Sequence, residues 1–593
     1  MTDFTTRPEI RGTFGAVTST HWIASAVGMR ILEQGGNAFD AAVATGLTLQ
    51  VVEPHLNGPA GDMPAIFYRA DADEVGVLCA QGVAPEAATA EHYTDLGLTL
   101  VPGSGLLSTV VPGAFDGWML MLRDHGTLSL REVIQPAIDY ARDGHPVLPR
   151  VAGMIDGLAE YFAQEWPTSA EVWTPGGKAP EPHALFKNPD LAATYDRLAS
   201  SPGATREARI DAARAEWREG FVADAIFDYL KDAEVMDVSG KKHAGVLTRS
   251  DMAEWRATFE TPLTYEYHGW RVHKTQAWSQ GPVMLQALAL LKGFDLAAMD
   301  PNGAEFIHTV IEAMKLAYAD REAYYGDPDF SEVPMEVLLS DEYNDARRGL
   351  ITDTASLDQR PGGVPGFEAQ AEAYIERAAR DFGVGDVMAQ EPTMAHLTEK
   401  RGDTVHLDVV DCWGNMVSAT PSGGWLQSNP VIPGLGFPLN SRAQMFWLEE
   451  GLPTSLGPKR RPRTTLTPSL AEKAGVRLAF GTPGGDQQDQ WQLIWFLRFV
   501  HHGLGLQECM DQPLFHSMHF QSSFFPRAVM PGEMMIEPNV GEDVIAELRA
   551  RGHKVTVADP WTIGRLTAAM WEPGGVMRAA ATPRLMQAYA VSR

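Results

Sequence analysis

Residues 404–420 read TVHLDVVDCWGNMVSAT. Apolar residues at positions 405, 407 and 409 alternate with polar residues at 406 and 408, which predicts a β-strand with one buried face. Residues 411–415 contain the Asp, Gly and Asn that favour a turn, and residues 416–420 are rich in strand-forming types. We therefore expect a β-hairpin whose first strand is opened by Thr404, directly after the charged residues 399–403.

A threonine at this place can become a nucleophile if the Asp403–Thr404 bond is cut. Its hydroxyl would then attack a carbonyl, and its own new α-amine would be the base beside it. An α-amine has a pKa of about 8, which is close enough to neutral to accept a proton. The alternative is that Thr404 is an ordinary β-branched strand residue.

Further motifs accompany this stretch. Residues 35–43 read GGNAFDAAV, residues 458–468 read PKRRPRTTLTP, and residues 481–485 read GTPGG. Together with Thr404 and its hairpin they resemble the γ-glutamyltransferase family of N-terminal nucleophile hydrolases. The resemblance implies an α+β fold, a four-layer αββα sandwich. It also implies a large subunit, residues 1–403, and a small subunit, residues 404–593, that build this one unit together as a heterodimer or a dimer of heterodimers.

Helical periodicity appears throughout the chain. It predicts helices at residues 23–34, 38–46, 130–144, 283–291, 305–318 and 489–500, several of them ended by glycine. The character of the chain changes over residues 352–403. A Pro- and Gly-rich run at residues 360–366 and little periodicity at residues 383–401 predict a flexible segment before the cleavage site. The alternative for this segment is an ordinary surface linker. Residues 319–330 are similar to the family, and we expect a buried ion-pair structure there.

Composition excludes several classes of function. The chain has 593 residues, of which 45% are hydrophobic and 21% charged, as in ordinary globular proteins. Its formal net charge of −28 opposes binding to nucleic acid or to an anionic membrane. Three scattered cysteines are too few for a disulfide framework or a zinc site, so we expect no metal and no cofactor.

The N-terminal residues show no basic segment followed by an apolar core, so no signal peptide is expected. No run of eighteen apolar residues is present that could span a bilayer. We therefore predict a cytoplasmic protein, although many members of the family it resembles are exported.

The GTPGG motif lies between a predicted strand at 477–480 and a predicted helix at 489–500. Backbone N–H groups in such a turn lie at the positive end of the helix dipole. By the family resemblance, Gly484 and Gly485 are the oxyanion hole, and Ser422 takes the place of a hydroxyl residue that orients the nucleophile. Without the resemblance, both stretches are ordinary turns.

The resemblance weakens at the substrate. Thr464 and Thr465 stand where the family contacts a substrate carboxylate, but Gln81 replaces the arginine that binds that carboxylate. Arg442 and Met445 replace the residues that bind the α-amine. We therefore expect an amide substrate whose acyl part carries a carboxylate and no amine, as in the branch with oxamate amidohydrolases and cephalosporin-type acylases. Two alternatives stay open: a γ-glutamyltransferase or glutathione hydrolase with a rearranged pocket, and a catalytically silent binding protein. An exposed ion-pair role is the alternative for Arg442.

Overall fold

A computed structural model describes residues 4–380 and 404–593 of the chain. Two seven-stranded antiparallel sheets lie at its centre. In spatial order, sheet 1 contains Tyr589–Ser592, Gly15–Ser19, Leu407–Asp411, Met416–Ala419, Ala65–Arg69, Glu74–Cys79 and Thr258–Glu260. Sheet 2 contains Ile10–Gly12, Met577–Ala581, Thr567–Trp571, Val476–Gly481, Ser469–Lys473, Trp270–Lys274 and Leu263–Tyr267.

Helices cover the outer face of each sheet. The helices on sheet 1 include Trp22–Glu33, Ala38–Val52, Ala114–His125 and Leu130–Asp143, and those on sheet 2 include Pro282–Leu291, Ala304–Tyr324 and Gln488–His502. Other helices are Ala90–Asp95, Pro149–Glu165, Pro167–Trp173, Pro189–Ala199, Arg206–Arg218, Phe221–Leu230, Arg249–Glu254, Met335–Leu338, Asp341–Arg348, Glu368–Arg380, Leu506–Asp511 and Glu542–Ala550. The six predicted helices are thereby confirmed, with shifted ends. Across the described residues, none of the helices is both long and apolar enough to cross a bilayer.

Three apolar cores separate four layers. One core joins sheet 1 to its helices, and a second joins sheet 2 to its own. The third lies between the sheets and joins Val410 and Met416 of sheet 1 to Leu470 and Ala479 of sheet 2. The order helix, sheet, sheet, helix confirms the predicted α+β fold of the αββα type.

Small side chains allow the helix Ala38–Val52 to pack at the centre of its layer, and every one of its residues is buried. The helix begins with a capping box, in which the Asn37 side chain accepts from the Asp40 amide and the Asp40 carboxylate accepts from the Asn37 amide. At Gly46 a Cβ would lie 2.2 Å from the Trp118 ring. Glycine is therefore needed at this helix–helix contact.

The predicted hairpin is confirmed, with two corrections. Its strands Leu407–Asp411 and Met416–Ala419 pair antiparallel, with Leu407 opposite Ala419. The first strand begins at Leu407 and not at Thr404. The expectation of one buried face is also wrong, because every residue of the strand is buried. The face that carries His406 and Asp408 packs against sheet 2, and the opposite face packs against the helices. The alternating pattern therefore separates a polar buried face from an apolar one, and neither face contacts solvent.

Residues 1–403 and residues 404–593, the two predicted subunits, each contribute strands to both sheets. Within the predicted flexible segment 352–403, residues Glu368–Arg380 form a helix whose Tyr374, Arg377 and Ala378 are buried. The expectation of a uniformly flexible segment is therefore wrong for this part. Residues 381–403, including Asp403 of the predicted cleavage site, lie outside the described residues.

Candidate active site

Thr404 lies in the interior of the protein, just before Leu407–Asp411, the third of the seven strands of sheet 1. Its side chain is fully buried, and its hydroxyl donates a 3.2 Å hydrogen bond to the Ser422 hydroxyl. The next residue, Val405, donates its amide to the Pro421 carbonyl. Thr404 and Ser422, the two predicted hydroxyl residues, are therefore adjacent. They lie just before the first strand and just after the second strand of the hairpin.

The loop that contains Gly58, Gly61 and Asp62 packs against Ser422 and fixes its position. Asp62 and Ser422 exchange both backbone hydrogen bonds, at 2.9 and 3.0 Å. A Cβ at Gly61 would lie 2.1 Å from the Ser422 carbonyl oxygen, and one at Gly58 would lie 2.3 Å from the Gly424 oxygen. Glycine is required at both places because backbone packs directly on backbone.

A buried polar network lies between the sheets, two residues after Thr404. His406 bonds Asp408 through Nε2 at 2.9 Å and the Thr420 hydroxyl through Nδ1 at 2.9 Å. The Asp408 carboxylate also accepts from Thr18, Ser418 and Thr567 at 2.7–3.0 Å. All these side chains are fully buried, and Thr567 belongs to sheet 2. The network ties the strand that follows Thr404 to the other sheet.

The glycine turn has the geometry that the sequence predicts. The strand Val476–Gly481 ends at it and the helix Gln488–His502 follows. Gly484 has φ +138° and Gly485 has φ +54°, values that L side chains rarely adopt. Among the described residues, neither glycine amide donates a hydrogen bond. Two backbone donors are thus left for another acceptor.

Arg442 is fully buried, which contradicts its alternative interpretation as an exposed residue. Its Nε donates to Asp62 Oδ1 at 2.9 Å, and its guanidinium lies 5.0 Å from the centre of the Trp425 ring. Within the described part of the chain, its Nη1 and Nη2 have no hydrogen-bond partner. Burial raises the pKa of the Asp62 carboxyl, and Arg442 opposes that shift. The arrangement leaves one edge of the guanidinium fork available for an anion.

The two threonines of the TTLTP motif lie in the same region. The Thr464 hydroxyl is buried and accepts a hydrogen bond from the Leu466 amide at 3.3 Å. The Thr465 hydroxyl is buried and has no partner among the described residues. Gln280 donates its backbone amide to the Thr464 carbonyl at 2.9 Å and its side-chain amide to the Gly485 carbonyl at 3.2 Å. Gln280 therefore links the threonine pair to the glycine turn.

The residues that replace the amine-binding and carboxylate-binding positions have other contacts. Met445 is buried in an apolar cluster with Trp425 and Phe524. Gln81 is fully buried, and its side-chain amide donates to the Gly82 carbonyl. Neither residue presents a charge to a ligand.

Sequence reasoning missed Asp62, Gln280 and Asp408 as members of this site. Asp62 and Gln280 carried a weak signal, since both lie in short polar stretches next to glycine. Their part in the site depends on contacts between distant segments, which no local pattern contains. The predicted buried ion-pair structure is confirmed, because Arg321 bonds both Asp486 and Glu322 in the interior.

One group of side chains has metal-ligand spacing within the described ranges: His308, Glu312 and His553, all buried. His308 already bonds His553 at 2.8 Å and the Thr352 carbonyl at 2.6 Å. Glu312 pairs with Lys315 at 2.5 Å and Arg360 at 2.8 Å. Because these cations lie beside the carboxylate, the group fits an internal polar cluster better than a cation site.

Comparison with known proteins places these observations in a family. The sequence profile of the family described as Gamma-glutamyltranspeptidase matches residues 24–592. The glutathione hydrolase-like YwrD proenzyme of Bacillus subtilis is 28% identical, covering 97% of this chain and 97% of that protein. The oxamate amidohydrolase proenzyme of Klebsiella pneumoniae is also 28% identical, covering 96% and 97%.

Solved structures agree in fold over the whole length. The structure of LmbA2991HD is 52% identical, covers 100% of both chains and gives a TM-score of 0.93. The cephalosporin acylase from Bacillus halodurans is 27% identical, covers 100% of this chain and 98% of that one, and gives a TM-score of 0.83. The chain therefore belongs to the gamma-glutamyltranspeptidase family and is an enzyme of the hydrolase and transferase type that this family comprises.

Proposed function

We propose that the chain is cut between Asp403 and Thr404, and that Thr404 then hydrolyses the amide bond of a small acyl compound. The acyl part carries a carboxylate and no α-amine. Residues 1–403 and 404–593 remain together as the two subunits, since both contribute strands to both sheets. The names of both curated relatives describe them as proenzymes, which supports a cut in this chain too.

The reaction follows from the groups around Thr404. The Thr404 oxygen attacks the amide carbonyl while its proton passes to the Thr404 α-amine. The negative oxygen that forms is stabilised by the free N–H groups of Gly484 and Gly485. The amine product leaves with the proton, an ester to Thr404 remains, and water hydrolyses that ester to regenerate the enzyme. Ser422 holds the Thr404 oxygen in place before the attack.

The observation that carries the substrate assignment is the open edge of Arg442. Its Nη1 and Nη2 are buried and have no hydrogen-bond partner among the described residues. The Thr465 hydroxyl is also buried and has no partner there. A guanidinium fork pairs with a carboxylate through two parallel hydrogen bonds. Asp62 accepts from the Arg442 Nε and exchanges two backbone hydrogen bonds with Ser422, so a carboxylate at Arg442 lies near the reacting oxygen.

The same region disfavours an amino acid as the acyl part. An ammonium needs an acidic or carbonyl partner, but Met445 lies in an apolar cluster with Trp425. Asp62, the carboxylate of this region, already balances the charge of Arg442 through Oδ1, and its Oδ2 has no partner among the described residues. Oxamate, the substrate in the name of the Klebsiella relative, belongs to the proposed class, since it carries a carboxylate and no amine.

A matched set of substrates tests the proposal. We expect cleavage of oxamate or of N-succinyl 4-nitroanilide. The methyl ester of N-succinyl 4-nitroanilide, which lacks the free carboxylate, should be cleaved at least about tenfold more weakly. We expect little cleavage of γ-glutamyl 4-nitroanilide. Arg442→Lys keeps the charge beside Asp62 but removes the fork. We expect it to raise KM for the free acid about tenfold or more while kcat changes less.

Other outcomes identify the alternatives. Efficient cleavage of the γ-glutamyl compound would indicate a γ-glutamyltransferase or glutathione hydrolase with a rearranged pocket. A cut protein that cleaves none of these amides, nor a wider panel, would indicate a binding protein. Thr404→Ala should remove all activity, and activity that survives this change would exclude Thr404 as the nucleophile.

A further inference from the structure

Arg527 is a buried arginine that the proposed reaction does not use. It is only 2% exposed, and its Nη2 donates to the carbonyls of Gln444 and Phe446 at 2.9 and 3.0 Å. Its Nε and Nη1 have no hydrogen-bond partner in the part of the chain that the structure describes. Its backbone has φ +67°, a conformation that non-glycine residues rarely adopt and that is enriched at functional sites.

No carboxylate among the described residues is paired with Arg527. The acidic residues that influence its pKa, Glu322 and Asp486, are each bonded to other arginines, Arg321 in both cases and Arg463 for Glu322. Burial lowers the pKa of Arg527 to about 9, so its guanidinium is still protonated at neutral pH. A buried cation without an anionic partner is costly, which indicates that an anion normally completes this place.

A pocket of about 680 Å³ opens at this arginine. Its lining combines the apolar Leu98, Leu100 and Leu448 with Arg380 and Glu449, which pair with each other at 3.1 Å. Arg527 lies 4.4 Å from the centre of the Trp447 ring, which also lines the pocket. This size and this lining suit a small organic molecule with a flat apolar body and one negative group.

The pocket is tied to the proposed acyl site by one short turn. Arg442 begins the turn Arg442–Met445, and Arg527 holds the carbonyl groups of Gln444 and Phe446. The path from Arg442 to Phe446 is at most about 14 Å long even when fully extended. An elongated substrate is long enough to span this distance. Arg442 is the one connected to Ser422 through Asp62, so it faces the acyl part.

We propose that Arg527 and the pocket beside Trp447 bind a carboxylate on the part of the substrate that leaves as the amine. This rests on the proposed amide hydrolysis and adds a second requirement to it. The preferred substrate then has a carboxylate on each side of the scissile amide, with an apolar, preferably aromatic, body on the amine side.

Two substrates that differ only in the amine part test this. N-succinyl-4-aminobenzoate carries the second carboxylate, and N-succinyl-4-aminobenzamide is its neutral match. We expect the full-length enzyme to prefer the first by about tenfold or more in kcat/KM. Arg527→Met should abolish the preference, and Arg527→Lys should retain part of it. Arg256→Met, the same change at an exposed arginine, should keep the full preference.

A purely structural role for Arg527 would lower the melting temperature and slow both substrates equally, with the preference unchanged, and that result would overturn the proposal. Equal cleavage of both substrates by the wild-type enzyme would also overturn it, while leaving the amide hydrolase assignment intact.

Direct binding separates the pocket from the reaction. Calorimetric titration of the mature wild-type enzyme with 4-aminobenzoate, which has no amide bond to cleave, should show binding that is about tenfold or more weaker in the Arg527→Met enzyme. If neither amide is hydrolysed but this binding pattern holds, the reaction is wrong and the carboxylate pocket stands. Absent binding, or binding that does not depend on Arg527, would overturn the pocket.

Discussion

Two buried polar regions flank Thr404, and they differ in how completely their hydrogen bonds are made. In the first, around His406 and Asp408, each ring nitrogen and each carboxylate oxygen has a partner. In the second, around Arg442, two guanidinium nitrogens and the Thr465 hydroxyl have none within the described residues. A satisfied network rigidifies a core, whereas buried groups without partners are costly unless a ligand completes them. We therefore propose that the first region positions the nucleophile and that the second receives the substrate.

A change in the glycine turn, residues 481–485, should have the largest effect on activity. We group this turn with the second region, because its two backbone N–H donors also have no partner among the described residues. A Cβ at Gly484 would lie 2.2 Å from the Trp491 ring and would need a φ of +138°. Gly484→Ala should therefore displace the turn and its N–H donors, and lower kcat by about a hundredfold or more.

The matched control for this change is Gly503→Ala, at the other end of the same helix. Gly503 also has a positive φ, of +64°, but a Cβ there would have nothing within 4 Å. It should lose some stability and keep its kcat. Full activity of a folded Gly484→Ala enzyme would remove the turn from the mechanism.

Asp408→Asn disrupts the first region, in which every hydrogen-bonding atom of the His406 and Asp408 side chains has a partner. The amide group that replaces one carboxylate oxygen would face hydroxyl donors from Thr18, Ser418 and Thr567. We expect a loss of about 2–3 kcal/mol in the free energy of unfolding, measured by urea denaturation, because a buried donor is left without an acceptor. If stability is unchanged while KM alone rises, the region binds substrate and the contrast between the two regions is wrong.

Thr465→Val makes the opposite test in the open region. Valine has the shape of threonine but lacks the hydroxyl, which has no partner in the described structure. Removing it should leave the ligand-free protein equally stable or up to about 1 kcal/mol more stable. The same change should raise KM for the carboxylate substrate several-fold, which steady-state kinetics measures. A marked loss of stability would show that the hydroxyl serves the fold.

The sequence predicted the local elements well, because their patterns are local. The hairpin, the strand–turn–helix at the GTPGG motif and six helices follow from periodicity and glycine positions. The helix Glu368–Arg380 was missed although its residues favour a helix, because the adjacent Pro- and Gly-rich run suggested a flexible segment.

The composition of the site was predicted only in part. The motifs and the family resemblance supplied the candidates Thr404, Ser422, Gly484, Gly485, Arg442, Thr464 and Thr465. A period of two residues cannot tell a second buried face from a solvent face, so the pattern predicted one buried face and gave Asp408 no role. The pairing of Arg442 with Asp62 joins positions 380 residues apart in the sequence, and only the packing of the two loops creates it.

The central claim is that Thr404 becomes an N-terminal nucleophile, and the masses and terminal sequences of the mature chains test it most directly. We expect two chains of 403 and 190 residues, residues 1–403 and 404–593, with the smaller one beginning Thr-Val-His. Thr404→Ser should still be cut because it keeps the hydroxyl, and Thr404→Ala should stay as one inactive chain. An uncut 593-residue protein that turns over substrate, or a small chain that begins at another residue, would contradict the account.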